Sequence, residues 1–166
     1  MTEFQLDHVA VLKMHADWEP LAGGGVPIFD RVQSAFSLNI GRHESKLRQF
    51  RINFAARFQQ LTKENEPVGY KVEAQLVGIA TVAASVTEEK LSEIVHLNSV
   101  NSLYGTLRGL IVAATGAFPI GPFITPSLSA KDILLTLQPP KPTDEVKKEA
   151  PPGVKHRRGR SPSGAK

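Results

Sequence analysis

Hydrophobic and polar positions alternate along the first half of the chain. Phe4, Leu6 and His8 alternate with Gln5, Asp7 and Val9, which predicts a first strand running to about Met14. Phe36, Leu38 and Ile40 alternate with Ser37, Asn39 and Gly41 and predict a second. The third has the clearest pattern, with Phe50, Ile52, Phe54, Ala56 and Phe58 on one face and Arg51, Asn53, Ala55, Arg57 and Gln59 on the other. Such alternation belongs to an antiparallel sheet with one dry face. Lys63-Glu64-Asn65-Glu66-Pro67 is turn chemistry. A fourth strand follows, with Val68, Tyr70, Val72, Ala74 and Leu76 in one phase. Val77 and Ile79 fall on the other phase, so a bulge or a change of partner is expected beside Gly78. Between the first two strands, residues 18–29 hold Pro20, Pro27 and Gly23-Gly24-Gly25, which predicts a loop.

Beyond Val82 the period becomes helical. Ser85 with Glu88 fits a capping box, and Leu91, Ile94 and Val95 share a face. A break is expected around Asn98-Ser99. Leu103, Leu107, Leu110, Ile111 and Ala114 then define a more apolar helix that stops at Gly116, with Pro119 soon after. Phe118 to Pro126 (FPIGPFITP) is apolar but irregular, and a last short helix is expected from about Ser129 to Leu137. Four strands followed by helices make an α+β layered domain, not a βαβ fold.

Charge divides the chain in two. The 166 residues carry a formal net charge of +4. From Pro139 onward there are eight basic and three acidic side chains, so residues 1–138 hold 12 basic against 13 acidic. The basicity therefore belongs to 139–166, a stretch with no aromatic residue and only Val146 and Val154 as large aliphatics. Such a segment cannot bury enough apolar surface to offset the entropy of ordering. The expected organisation is a domain over 1–138 and a disordered basic tail over 139–166. The absence of cysteine excludes a disulfide scaffold, a thiol nucleophile and a Cys-ligated zinc site. No run of about 18 apolar residues occurs, so no membrane insertion is expected. The first residues (MTEFQLD) lack signal-peptide character, which leaves a cytoplasmic protein as the expectation.

Candidate chemistry is sparse. His8, His15, His43 and His96 show no HxxxH or HExxH spacing, and on a strand Asp7 and His8 point to opposite faces, so no metal is expected. The Gly23-Gly24-Gly25 run is followed by Pro27 and not by a Lys-Ser/Thr pair, and so reads as a linker, not a phosphate cradle. No GxSxG elbow is present, and nothing signals an enzyme or a cofactor. The cluster Lys155-His156-Arg157-Arg158-Gly159-Arg160 could make salt-sensitive phosphate contacts, but it lacks stacking aromatics. A solubilising end is the preferred reading, and nucleic acid is not an expected partner.

Two features exceed background. The Tyr70/Val72/Ala74/Leu76 stripe is free of charge. It is either the core face or, if helices cover the other side, an exposed association patch. On periodicity alone, the core is the better reading. The loops are also unusually apolar, with Trp18, Leu21, Val26, Ile28 and Phe29 in one and Phe118, Ile120, Phe123 and Ile124 in another. That composition suggests a lid over the core or the walls of an apolar groove.

The run Gly69 to Ile79 (GYKVEAQLVGI) resembles the fourth strand of SecB-type protein-export chaperones in its alternating stripe and its Gly-Ile ending. Asn101-Ser102-Leu103-Tyr104 with Arg108 resembles the start of that family's long helix. Phe118-Pro119, Pro126 and Ile133-Leu134 resemble its closing segment, and Phe4-Gln5-Leu6 its opening. The likeness covers about residues 3–137 in the right order. It implies an ATP-independent holdase that binds unfolded clients without a cofactor. The implied subunit is a four-stranded antiparallel sheet with helices packed on one face, assembled as a homotetramer, a dimer of dimers. It further implies that Tyr70, Val72, Ala74 and Leu76 serve the oligomer interface. Glu73, with Asp17, would lie on an outward face that docks a SecA-type motor. Leu21, Ile28, Phe29, Phe118 and Phe123 would line the client groove.

The chain departs from the family pattern in a near-neutral body, a basic tail and Lys13 at a position where the family is acidic. These departures weaken the case for SecA docking more than the case for a holdase. SecB-like proteins also act as antitoxin chaperones in toxin–antitoxin systems, a role without need of an acidic face. Four readings stand: a holdase for preprotein export or a dedicated client, an antitoxin chaperone, a nucleic-acid-associated protein acting through its tail, and a diverged structural adaptor whose groove is filled by its own Phe118–Pro126 segment.

Overall fold

A computed structural model describes residues 2–20 and 29–137. Leu21 and Ile28 of the expected groove, and the expected tail, lie outside the described residues. Four strands come first: β1 (Phe4–Glu19), β2 (Arg31–Arg42), β3 (Gln49–Leu61) and β4 (Pro67–Val82). Two helices follow, α1 (Glu88–Thr115) and α2 (Ala130–Leu137). The strands form one antiparallel sheet in the order β1-β4-β3-β2, and both helices cover the same face. The fold is α+β, as the order of periodicities implied.

The inward positions of β3 and β4 form the floor of the core. Ile52, Phe54, Phe58, Val72 and Leu76 are fully buried beneath Leu103, Leu107 and Ile111 of α1. Each such side chain contributes about 1.5–3 kcal/mol relative to an exposed one. Phe36 stacks on Phe54 and meets Phe58 and Tyr104 edge-on, at centroid separations of 5.8–6.1 Å.

The phase of β4 does not slip at Gly78. Positions 70, 72, 74, 76, 78, 80 and 82 all face inward. Val77 and Ile79 are simply half-buried residues of the opposite face. Gly78 serves close packing: a Cβ there would lie 3.0 Å from Leu6 Cδ1 and 3.3 Å from Leu103 Cδ2. The irregularities fall in β1 instead, where register shifts leave Asp7 and Leu12 without cross-strand partners. β1 also runs five residues past Met14, because Ala16 and Trp18 continue the inward row opposite Val72 and Tyr70.

Only one long helix forms where two were expected. Ser99 is no break, because Leu91, Val95, Ser99, Leu103, Leu107, Ile111 and Thr115 make one buried stripe at four-residue spacing. Asn98 stays helical, its side-chain amide donating to the Ile94 carbonyl at 2.9 Å. The expected capping box at Ser85 does not form. The helix starts after Thr87, and Glu88 instead pairs with Arg42 and Arg48 at 3.2 and 3.3 Å. The box appears at α2, where Ser129 and Asp132 exchange backbone-to-side-chain bonds of 3.1 Å each.

Candidate peptide-binding groove

The helix layer does not fully cover the sheet. β2 is an edge strand, so its outer backbone groups face away from any neighbouring strand. Beside it, under and between α1 and α2, lie three hollows that share lining residues and so form one trough. The first holds about 340 Å³ between Leu38, Ile40 and Phe50 of the sheet and Leu91, Val95 and His96 of α1. The central hollow is the largest, about 630 Å³, and is walled by Leu38, Ser92, His96, Leu134 and Leu137. The last, about 350 Å³, lies over Leu97, Leu134 and Leu135.

The trough is apolar below and polar at its rim. Glu89 and Glu93 of α1 border the central hollow, and no Lys or Arg does. Lys131 enters only at the outer end. His96 Nδ1 lies 2.7 Å from the Ser92 carbonyl oxygen, which can only accept, so Nδ1 carries the proton. Such a surface holds extended chain by non-directional apolar burial, and an edge strand beside it can add main-chain hydrogen bonds.

The sequence-derived residues divide differently. Phe123 is 2% exposed and packs on Phe58 and Tyr70 at 6.0 and 5.5 Å. It belongs to the core and cannot line a groove. Phe118 is part-buried, edge-on to Tyr70 at 5.6 Å, so its segment lids the core. Phe29 is described and exposed, but it lines none of the three hollows. Tyr70, Val72, Ala74 and Leu76 are at most 5% exposed within one subunit, because the helices cover this face and not the other. They offer no surface to a second copy, and their expected interface role is corrected to a core role. Burial also pushes the Tyr70 hydroxyl above its usual range, and it donates to the Gly121 carbonyl.

Glu73 and Asp17 do lie on the open sheet face, but neither carboxylate is free. Glu73 sits between Lys13 at 3.1 Å and Arg57 at 3.0 Å. The Lys13 hydrogen bond, with the Arg57 charge behind it, holds its carboxyl below the usual range. Asp17 meets His15 at 2.7 Å. Among the described residues no cluster of three His, Asp or Glu side chains could hold a metal ion, and no helix is long and apolar enough to cross a membrane.

The trough residues were not singled out from sequence. Leu38, Leu91, Leu134 and Leu137 read as ordinary core positions, and only the placement of α2 over β2 brings them together.

The four-stranded antiparallel sheet with a long helix and a short one on one face is shared in fold with a solved SecB-like chaperone. The solved structures similar to this chain include the Mycobacterium tuberculosis SecB-like chaperone Rv1957 in complex with a ChAD peptide from the HigA1 antitoxin. The match has a TM-score of 0.57 and 15% sequence identity, and it covers 76% of this chain and 91% of that one. A protein of unknown function from Streptococcus agalactiae also matches, with a TM-score of 0.40, 15% identity, and coverage of 76% and 98%. No protein-family model matches the chain, and no curated protein does.

Proposed function

We propose that this protein is a holdase that binds extended, apolar segments of unfolded polypeptide in the trough between α1, α2 and edge strand β2, without ATP or metal. The open apolar trough carries the reading. It lies in a fold shared with a chaperone that binds an antitoxin peptide. A dedicated client of the antitoxin kind suits the open sheet face better than preprotein export. SecA docking through Glu73 and Asp17 would call for an acidic face, whereas here Lys13, Arg57 and His15 lie directly beside the two carboxylates. Cytoplasmic placement goes with this role.

The proposed homotetramer must use other surfaces than the β4 stripe. The outer side of α1 from Leu97 to Thr115 carries a single charge, Arg108, with Asn101, Gly105, Gly109 and Val112 exposed. On β1, Val9, Val11 and Leu12 are 37–52% exposed along a free edge. These two sparsely charged faces are the assembly surfaces we assign.

The test is anisotropy of a labelled, uncharged, leucine-containing peptide titrated with the full chain, beside light scattering of a diluted, denatured test protein without ATP. Leu134→Glu should cut peptide affinity about tenfold or more, the loss of one buried leucine contact worth about 1.5–3 kcal/mol. Ile124→Glu, an exposed apolar residue away from the trough, should change nothing. Equal affinity in both variants and wild type would sink the proposal.

A further inference from the structure

Both helices lie on one side of the sheet, so its other side is open. The charges of that side are sorted by strand. β2 and β3 carry four basic side chains, Arg31, Arg42, Arg51 and Arg57, and no carboxylate. The register places Arg31, Arg51 and Arg57 on the open side, whereas Arg42 alternates to the helix side and meets Glu88. The carboxylates of the open side, Asp7, Asp17, Glu19 and Glu73, all belong to β1 and β4. They stand there among Lys13, Lys71, His8 and His15. The turns bordering β2 and β3 are mixed in sign, with His43, Glu44 and Lys46 at one end and Asp30, Lys63, Glu64 and Glu66 at the other. Between these borders, the β2–β3 half of the face is cationic.

Two hollows interrupt this half. The first, about 310 Å³, is lined by Ala35, Ser37 and Ala55 beside Lys13, Arg57 and Glu73. Glu73 sits 3.1 Å from Lys13 and 3.0 Å from Arg57, so two cations share one carboxylate. The second, about 360 Å³, lies where Gly41 leaves open space beside Arg51 and Ile79, with Arg42, His43 and Glu44 at its border. Arg51 has no carboxylate within 4.0 Å among the described residues. Arg51 and Arg57 are six residues apart on one strand face, about 20 Å at the usual rise per residue.

Arginine presents a planar fork that matches a carboxylate, and small residues beside such a fork leave room for an apolar side chain. We propose that the open face of β2 and β3 docks an extended acidic segment of a partner protein, its carboxylates at Arg51 and Arg57 and an apolar side chain in the Ala35/Ala55 hollow. The carboxylates of β1 and β4 repel such a segment and confine it to the other half. A single-stranded nucleic acid fits less well, because no outward position of β2 or β3 is aromatic and bases find no stacking platform. The partner's sign is the reverse of that expected for this face from Glu73 and Asp17. The surface lies on the side of the sheet away from the trough, so the inference stands apart from the trough reading.

The test uses the full chain and a labelled peptide of alternating Glu and Ala with one central Leu, at about 0.1 M salt, where the Debye length is about 10 Å. Anisotropy reads the binding, and alanine and leucine methyl shifts read its seat. The Ala35 and Ala55 methyls should move and the Leu134 methyl should not. Arg51→Gln/Arg57→Gln should weaken binding about threefold or more, the scale of two exposed charge contacts. Glu73→Gln should tighten it about twofold or more, because Lys13 and Arg57 lose their internal carboxylate. Unchanged affinity in the double arginine variant, the result if the basic residues of 139–166 capture the peptide instead, overturns the proposal. Movement of the Leu134 methyl in place of the two alanines seats the segment in the trough and overturns it as well. Tighter binding of a single-stranded oligonucleotide of equal charge, with the same methyl shifts, assigns the face to nucleic acid and refutes the acidic partner.

Discussion

Thr115 ends α1 and holds the irregular segment after it. Its hydroxyl donates to the Ile111 carbonyl at 2.7 Å and accepts the Phe123 amide at 2.8 Å, and the residue is fully buried. Thr115→Val keeps the branched shape and removes that acceptor. The Phe123 N–H is then left without a partner in a dry site, at about 1–3 kcal/mol. For a chain of this size each kcal/mol lowers Tm by about 2–4 °C, so a fall of roughly 2–12 °C is expected. Thr115→Ser keeps the hydroxyl and loses one methyl, about 0.8 kcal/mol. Thermal unfolding of both variants by circular dichroism decides the matter. The segment from Gly116 to Ser129 also carries the chain to α2, so amide exchange in α2 should quicken in Thr115→Val alone. If Thr115→Val melts with the wild type, or Thr115→Ser melts lower than it, the hydroxyl does not anchor Phe123 and the argument fails.

Three further outcomes are expected. Glu73 has a depressed carboxyl, held down first by the Lys13 hydrogen bond, so it stabilises the fold above the unfolded carboxylate pKa of about 4.3. That contribution is lost as pH falls through the lower folded value, and Tm against pH for Glu73→Gln should lack this acid-limb component. Gly78→Val should destabilise by about 1–3 kcal/mol through overpacking against Leu6 and Leu103, read as a lower urea midpoint at unchanged m. Val112→Glu should shift sedimentation to a smaller species with unchanged far-ultraviolet circular dichroism, whereas an unfolded monomer would contradict the assembly surface assigned to α1.

The strands were legible because one sheet face is dry and the other wet, most clearly in β3. The misread slip at Gly78 has the complementary cause: the open face of β4 also carries Val77 and Ile79, so both phases looked apolar. Ser99 was misread because its low helix propensity was weighed without its place in the buried stripe. Periodicity tells which residues share a face, not which face the helices choose. For Tyr70, Val72, Ala74 and Leu76 periodicity favoured the core, the interface role came only from the family resemblance, and their burial within one subunit agrees with the periodicity. The trough was invisible for a stronger reason. It exists only where residues of α1, α2 and Leu38 of β2 come together, a tertiary relation that leaves no local pattern.

The strand order has a consequence in time. β2, β3 and β4 are joined by short turns and can pair as soon as each emerges, but β1 must wait for β4. Phe4 pairs with Val82, so 78 residues of chain separate the first contact from its partner. At a synthesis rate of about 5–20 residues per second, β1 stays unpaired for roughly 4–16 s on each new chain. Through that interval its Phe4, Leu6, Val9 and Val11 form an extended apolar segment without a sheet to join. Every nascent copy thus passes through a stage in which its own β1 has the character of the ligand proposed for a finished copy's trough.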